Sequence, residues 1–361
     1  MISKNKETAE KNNDKGDFSV KFWGVRGSYP APGEDTVKFG GNTPCIEIKN
    51  RNKSAKKNKH ECIFLDAGTG FIKAGQEAAG MNAAKSCPEA VNILLSHVHW
   101  DHIMGLPYFA LLQKENITIN IYGMDEHIKS IKSLFARPFF PMNWSEVPAD
   151  INFRSIKDGD RYSFAEDITV EAVSGNHSSR SLIYKVLAGD SECVYTGDFE
   201  HEFTRSDKEC YGELEGHRND NKENNTGLPA SFSSGNMENE AGQGFQHKKN
   251  NSELLSTSDN CNKGMRNKLI NFARGADLLI YDAHFLQREY EGGSEAESKK
   301  GWGHSTWQEG IKIAREAGAK RLAFFHHSPH RNDRELEQLE EKLAGEIKKV
   351  FAAREGMVIN I

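Results

Sequence analysis

The chain has 361 residues, a formal net charge of −5 and 37% hydrophobic residues: enough for one large domain or two, with no overall basic character to advertise nucleic acid. Six cysteines (Cys45, Cys62, Cys87, Cys193, Cys210 and Cys261) are scattered without a CxxC pair, which argues against a disulfide framework or a zinc ribbon and fits a reducing compartment. No apolar run approaches the length of a bilayer crossing and the polar N-terminus lacks an apolar signal core, so a soluble, cytoplasmic protein without membrane partners is expected.

Met1–Asp17 is polar and charged and reads as a disordered tail. Phe18–Trp23 reads as a strand, followed by the Gly/Pro-rich loop Gly24–Gly33, and Phe39-Gly40-Gly41-Asn42-Thr43 leads into a second strand at Cys45. The basic stretch Asn50–His60 between the strand-like runs Cys45–Ile48 and Cys62–Leu65 reads as a solvated hairpin tip; a patch for a phosphate backbone is the weaker alternative. Glu61–Leu65 ends in the turn Asp66-Ala67-Gly68-Thr69-Gly70, which feeds a helix. The apolar run Val91–Leu95 delivers Ser96-His97-Val98-His99-Trp100-Asp101-His102. Leu106–Gln113 suggests a short helix, Ile117–Tyr122 a strand and Glu126–Phe135 a helix.

Further along, strand-like Ile168–Val173 precedes Gly175-Asn176-His177, and Glu192-Cys193-Val194 precedes Tyr195-Thr196-Gly197-Asp198. Glu202–Lys263 is dense in polar residues and almost empty of aliphatic ones, so it cannot offset its ordering entropy and reads as a flexible insertion. Leaving the fold just past Asp198, it is placed to act as a flap. Thr306–Ala317 is a helix with a capping signal at Ser305 or Thr306, Arg321–Phe324 a strand leading to Phe325-His326-His327, and Met357–Ile361 a last strand. Arg334–Ala352 has Leu336, Leu339, Leu343, Ile347 and Val350 along one helical stripe. The reading is therefore a tail over 1–17 and one α/β (or α+β) domain over 18–361, with an insertion at about 202–263 and no short repeat.

The His97–His102 run carries the chemistry. Side chains alternate along a strand, so an extended His97 and His99 would share a face and could hold one ion, while Asp101 and His102 lie past the strand end, within reach of a second. Imidazole and carboxylate suit zinc, manganese or iron. A polar loop rich in histidine by chance is the bland alternative, and four candidate ligand residues at this spacing argue against it.

This HxHxDH pattern resembles the first metal motif of the metallo-β-lactamase superfamily. The order HxHxDH, then His177, Asp198 and a last histidine, each after a short apolar run, matches that family. The resemblance implies a four-layer αβ/βα sandwich and two divalent cations, zinc or manganese. By resemblance, His97, His99 and His177 would hold one ion, and Asp101, His102 and His326 the other, with Asp198 bridging. Neighbours His326 and His327 cannot point the same way from extended backbone; His326 ends the apolar run and is favoured, which leaves His327 beside the site or at its rim.

Leu279-Ile280-Tyr281-Asp282-Ala283-His284-Phe285 and Gly301-Trp302-Gly303-His304-Ser305-Thr306 resemble the corresponding region of ribonuclease Z and its phosphodiesterase relatives. The resemblance makes His304 the histidine that contacts the scissile phosphate and Asp282 the carboxylate that orients a histidine. The tRNA-clamping arm of ribonuclease Z would fall between His177 and Asp198, where only about twenty residues stand, too few for an arm plus two strands. Val25-Arg26-Gly27-Ser28 and Phe39–Thr43 look more like PhnP-type and class II cyclic-nucleotide phosphodiesterases. A small phosphodiester such as a cyclic nucleotide is therefore the expected substrate and nucleic acid the less favoured one, with hydroxide bridging the two cations attacking phosphorus. Asp66 would buttress a ligand histidine, Arg26 would contact phosphate, and Trp100 and Trp302 would either wall the pocket and stack on a base or simply pack. Open alternatives are tRNA 3′-processing, thioester or lactone hydrolysis on the same site, and a non-catalytic nucleotide-binding module. Metal identity and oligomeric state, a homodimer included, stay open.

Overall fold

Successive side chains of a strand point to opposite faces, and the strands here form two sheets, each with one face on a shared core. In this computed structural model the described residues are 17–50, 61–80, 87–164, 167–202, 264–293, 297–343 and 349–361. The tail over 1–16, the hairpin tip over 51–60 and the insertion over 203–263 lie outside them, so those expectations rest on sequence alone.

The first sheet runs in the order β14 (Val358–Asn360), β1 (Phe18–Gly24), β2 (Cys45–Asn50), β3 (Glu61–Leu65), β4 (Ala90–Leu94), β5 (Thr118–Gly123) and β6 (Asp150–Ser155). The second runs β13 (Val350–Ala352), β12 (Leu322–Phe325), β11 (Leu278–Asp282), β10 (Ser191–Tyr195), β9 (Ser181–Ala188), β8 (Ile168–Gly175) and β7 (Arg161–Phe164). Phe18, Val20 and Phe22 of β1 meet Tyr184, Val186, Ile280 and Phe325 of the opposite sheet between the layers.

Each sheet's outer face is covered by helices. Helix Gly70–Ala78 and the turns after it cover Phe64, Val91 and Ile93, and helices 264–272, Trp307–Ala317 and Asp333–Leu343 cover Leu279, Tyr281 and Phe324. The result is the expected four-layer αβ/βα sandwich. Phe71 is fully buried, stacked on Phe109 at 4.0 Å and edge-on to Phe64 at 5.0 Å. Phe71→Ala should cost about 3–5 kcal/mol through lost burial and a cavity. A denaturant midpoint within error of the parent would refute that packing account.

Two sequence expectations change. Of the helical stripe expected over Arg334–Ala352, Asp333–Leu343 is a described helix, and Val350–Ala352 forms a strand. The physical reason is the free edge of β12: Val350, Phe351 and Ala352 pair with it in parallel, and those ladder bonds outweigh a helical periodicity that local sequence also supports. Leu106–Gln113 forms two 3-10 turns, Leu106–Tyr108 and Ala110–Gln113, separated by extended Phe109.

β3 to β6 pair in parallel, as do β10 to β13. In an open parallel sheet, ligands sit beyond the carboxyl ends of the strands. The chain leaves β3 into Asp66, β4 into His97, β10 into Asp198 and β12 into His326, while β11 ends on Asp282 itself. Antiparallel β8 ends just before His177.

Candidate metal centre

β4 stops at Leu94, so His97 and His99 are not strand residues as expected; His99 caps the short helix Trp100–Ile103, which carries Asp101 and His102. The rings converge nonetheless. His97 lies 4.5 Å from His99 and 4.7 Å from His177 by ring centroids, and His177 Nε2 is 3.1 Å from His99 Nδ1. On the other side His326 Nε2 lies 3.0 Å from Asp101 Oδ2 and 3.3 Å from His102 Nε2. Asp198 stands between the two groups. Its Oδ2 is 3.4 Å from His97 Nε2, and its Oδ1 is 3.0 Å from His102 Nε2 and 3.1 Å from His326 Nε2.

Hydrogen bonds around the centre set the histidine tautomers. His102 Nδ1 lies 2.8 Å from the Asp66 carboxylate, and His177 Nδ1 lies 2.7 Å from Gly303 O, so both nitrogens donate. Ser96 Oγ donates to Asp66 at 2.8 Å, which makes it the acceptor for His97 Nδ1 at 3.0 Å. In neutral rings, Nε2 of His97 and His177 therefore carries a lone pair on the side of the Asp198 carboxylate. Buried His97 Nε2 and Asp198 Oδ1 have no hydrogen-bond partner, although the latter touches two imidazoles. Acceptors crowded together without a proton between them repel unless a cation joins them, so this all-N,O donor set fits divalent metal ions. Two sets, His97, His99, His177 and Asp198, and Asp101, His102, Asp198 and His326, each hold their donor atoms within 4.8 Å of one another.

The electrostatics differ between the two sides of Asp198. Burial pushes the His177 pKa down to about 3 and lowers those of His97 and His99, which keeps these rings neutral. His102 goes the other way: Asp198, Asp101 and Asp66 outweigh burial and raise its pKa well above the ordinary value, and against burial that cationic ring leads the charges that hold Asp198 well below its ordinary range.

Asp66 sits behind His102. It is fully buried and also accepts from Ser96 N at 2.7 Å and Tyr195 Oη at 2.6 Å. Asp66→Asn should weaken metal affinity about 10- to 100-fold, because the amide cannot accept from all four donors. Chelator competition would measure this, and unchanged affinity would remove Asp66 from the metal centre's support. Ser28, Asp66 and His326 have φ of 63°, 59° and 59°, three non-glycine residues in a costly backbone region, all beside the centre.

His304 Nδ1 lies 3.0 Å from Asp282 Oδ2 and 3.7 Å from Asp198 Oδ2. Ser28, Val98, His99, Trp100, Asp101, Asp198 and His304 line an open cavity of about 400 Å³. Trp100 borders this cavity and Trp302 belongs to the loop before His304; both are more than half exposed, so neither is ordinary core packing.

Two expectations are corrected. Arg26 does not reach the cavity: its buried guanidinium donates to the carbonyls of Gly40, Ser328 and Arg331 and pairs with Asp333 at 3.9 Å, so it ties loops together. His327 points away from the cluster and bonds Ala353 O at 2.9 Å, and the neighbouring His326 is the one brought to Asp101 and Asp198. Sequence reading passed over His284 and Glu200. His284 is buried and stacks on His304 at 4.6 Å between ring centroids; its spacing of two from Asp282 was the available signal. Glu200 is equally buried two residues past Asp198, in a stretch that showed no strand pattern.

The family described as "Beta-lactamase superfamily domain" matches residues 62–212. Ribonuclease Z of Archaeoglobus fulgidus is 27% identical over 346 residues, covering 92% of this chain and 93% of the relative. Among solved structures, the metallo-β-lactamase fold protein YhfI from Bacillus subtilis aligns with a TM-score of 0.57 at 18% identity, over 96% of this chain and 99% of its own. Zn(2+)-bound PqqB from Methylobacterium extorquens aligns with a TM-score of 0.59 at 13% identity, over 95% of this chain and 100% of its own. At these identities the structural likeness speaks to the fold, a metallo-β-lactamase sandwich.

Proposed function

We propose that this metallo-β-lactamase superfamily hydrolase, of the ribonuclease Z and PhnP branch, cleaves small phosphodiesters, with cyclic nucleotides as the representative class. The observation that carries the choice of a small substrate is the β9–β10 hairpin. Its strands are joined by Gly189-Asp190 alone, so no clamping arm stands between His177 and Asp198. Two divalent cations, zinc or manganese, would be held by His97, His99 and His177 on one side and by Asp101, His102 and His326 on the other, with Asp198 shared. When bound, such cations act as Lewis acids and yield a nucleophile from water near neutral pH.

The remaining chemistry belongs to the chain. Burial lowers the His304 pKa, but Asp282, and behind it Asp198, outweigh burial and bring it up to about 9. A cationic imidazole at the cavity wall can stabilise charge on phosphoryl oxygens and give a proton to the leaving oxygen. Asp282 fixes which nitrogen carries the proton toward itself and leaves Nε2 for the substrate. Exposed Trp100 and Trp302 offer faces on which a base can stack.

A second reading, 3′-end processing of tRNA, is favoured by the name of the A. fulgidus relative, Ribonuclease Z, and by the near-complete overlap with it. Protein reconstituted with zinc or manganese should hydrolyse bis-p-nitrophenyl phosphate and members of a panel of 2′,3′- and 3′,5′-cyclic nucleotides and linear dinucleotides. Precursor tRNA cleaved with the panel untouched would replace the small-substrate reading. Turnover of a thioester or lactone alone would replace phosphodiester chemistry altogether.

A further inference from the structure

Glu200 joins the three segments that carry His177, Asp198 and His304. It lies two residues past Asp198 and is fully buried. Its main-chain N donates to Asn176 O at 2.7 Å, and its carbonyl accepts from Asn176 Nδ2 at 2.6 Å, which clamps it to the residue before His177. Its carboxylate faces the loop before His304: Oε1 accepts from Gly301 N at 2.6 Å and Tyr290 Oη at 2.9 Å, and Oε2 accepts from Gly303 N at 2.9 Å. Trp302 is more than half exposed and Lys300 Nζ ties the start of the loop to Glu202 at 2.7 Å, while the Glu200 carboxylate holds the main chain of both Gly301 and Gly303. Burying a carboxylate is costly unless its oxygens are satisfied, and three donors satisfy this one.

The loop held in this way does two jobs. Gly303 O receives the proton of His177 Nδ1 at 2.7 Å, and the next residue is His304. The contact is close enough to require glycine: φ of Gly303 is +88°, and a Cβ there would lie 2.3 Å from the His177 ring. We infer that Glu200 is a positioning residue that acts through the Gly301–Gly303 main chain to set both the His177 ring and His304. For His304, the inference rests on the phosphodiesterase reading; for His177, it rests only on the metal-binding geometry.

Glu200→Gln tests it with almost no change in volume. The amide keeps one acceptor oxygen and gains a donor, so one loop N–H must face an NH₂ group. The expected result is a folded protein whose zinc affinity, measured by chelator competition, falls about 10- to 100-fold. The visible absorption of the cobalt(II)-substituted protein should change in band position or intensity, and kcat on a cleaved diester should fall more than KM changes. Tyr290→Phe removes one bond to the same carboxylate but leaves both loop N–H groups paired, and should keep the parent spectrum and affinity. Glu200→Asp keeps both oxygens but sits one methylene short, and should give an intermediate shift; this variant decides the matter if Glu200→Gln does not fold.

Parent-like cobalt spectra and zinc affinity in the folded Glu200 variants would overturn the inference. So would equal losses in Tyr290→Phe and Glu200→Gln, because the carboxylate would then act only as buried filling. Spectrum and affinity need no substrate, so a parent protein inactive on every diester would refute the phosphodiesterase reading without touching this result.

Discussion

Replacing His304 with alanine should leave the bound metal unchanged and reduce kcat on a phosphodiester by about 10²- to 10⁴-fold, the usual contribution of a positioned acid. The geometry supports separating metal retention from turnover. His304 stands at the cavity wall, with Nδ1 engaged by Asp282, and Asp198 has four other imidazoles around it. Asp282→Asn adds a test with a definite sign. Asp282 is the first of the charges that lift the His304 pKa to about 9 against burial, so the cationic form persists below that pH and is lost as pH rises through it. Without Asp282 the alkaline limb of kcat should move to lower pH. Loss of metal from His304→Ala, or an unmoved alkaline limb in Asp282→Asn, would show that the pair serves the fold of the site and not the reaction.

Metal removal should have the larger effect. Elemental analysis of protein purified without chelator is expected to find close to two ions per chain. Dialysis against a chelator should abolish diester turnover, with recovery on adding zinc or manganese. Asp198→Ala should lose at least one ion and several kcal/mol of transition-state stabilisation, about 10³-fold or more in rate. The reason is that Asp198 is the carboxylate present in both donor groups, and both of its oxygens face imidazoles. One ion or none with full activity would sink the two-metal mechanism, as would Asp198→Ala with unchanged metal content.

The candidate donors are legible because local sequence carries them densely: two histidines, an aspartate and a third histidine within six positions after a buried strand. His177, Asp198 and His326 were legible because each follows a short apolar run, and strand ends are where open sheets place their sites. The pairing of Asp66 with His102 could be anticipated only in kind, since metal-binding imidazoles require an acceptor behind them. Arg26 misled because an arginine beside a Gly-Ser turn suits a phosphate and a set of loop carbonyls equally well. Its partners Ser328 and Arg331 lie some three hundred residues away, beyond any local pattern. His284 and Glu200 were missed for the same reason: their partners come from other strands and loops.

Sequence by itself therefore determined the alternation of strands and helices, the supply of imidazoles and carboxylates at strand ends, and the short span between His177 and Asp198. These are local properties, set by side-chain period and by the number of residues available. Tertiary structure alone decided which of His326 and His327 turns toward Asp198, that Val350–Ala352 completes a sheet edge instead of extending a helix, and that Glu200, through its main chain and its carboxylate together, ties three segments. Each of these depends on a free edge, a lone pair or an N–H offered by a distant segment, which exists only once the two sheets have packed face to face.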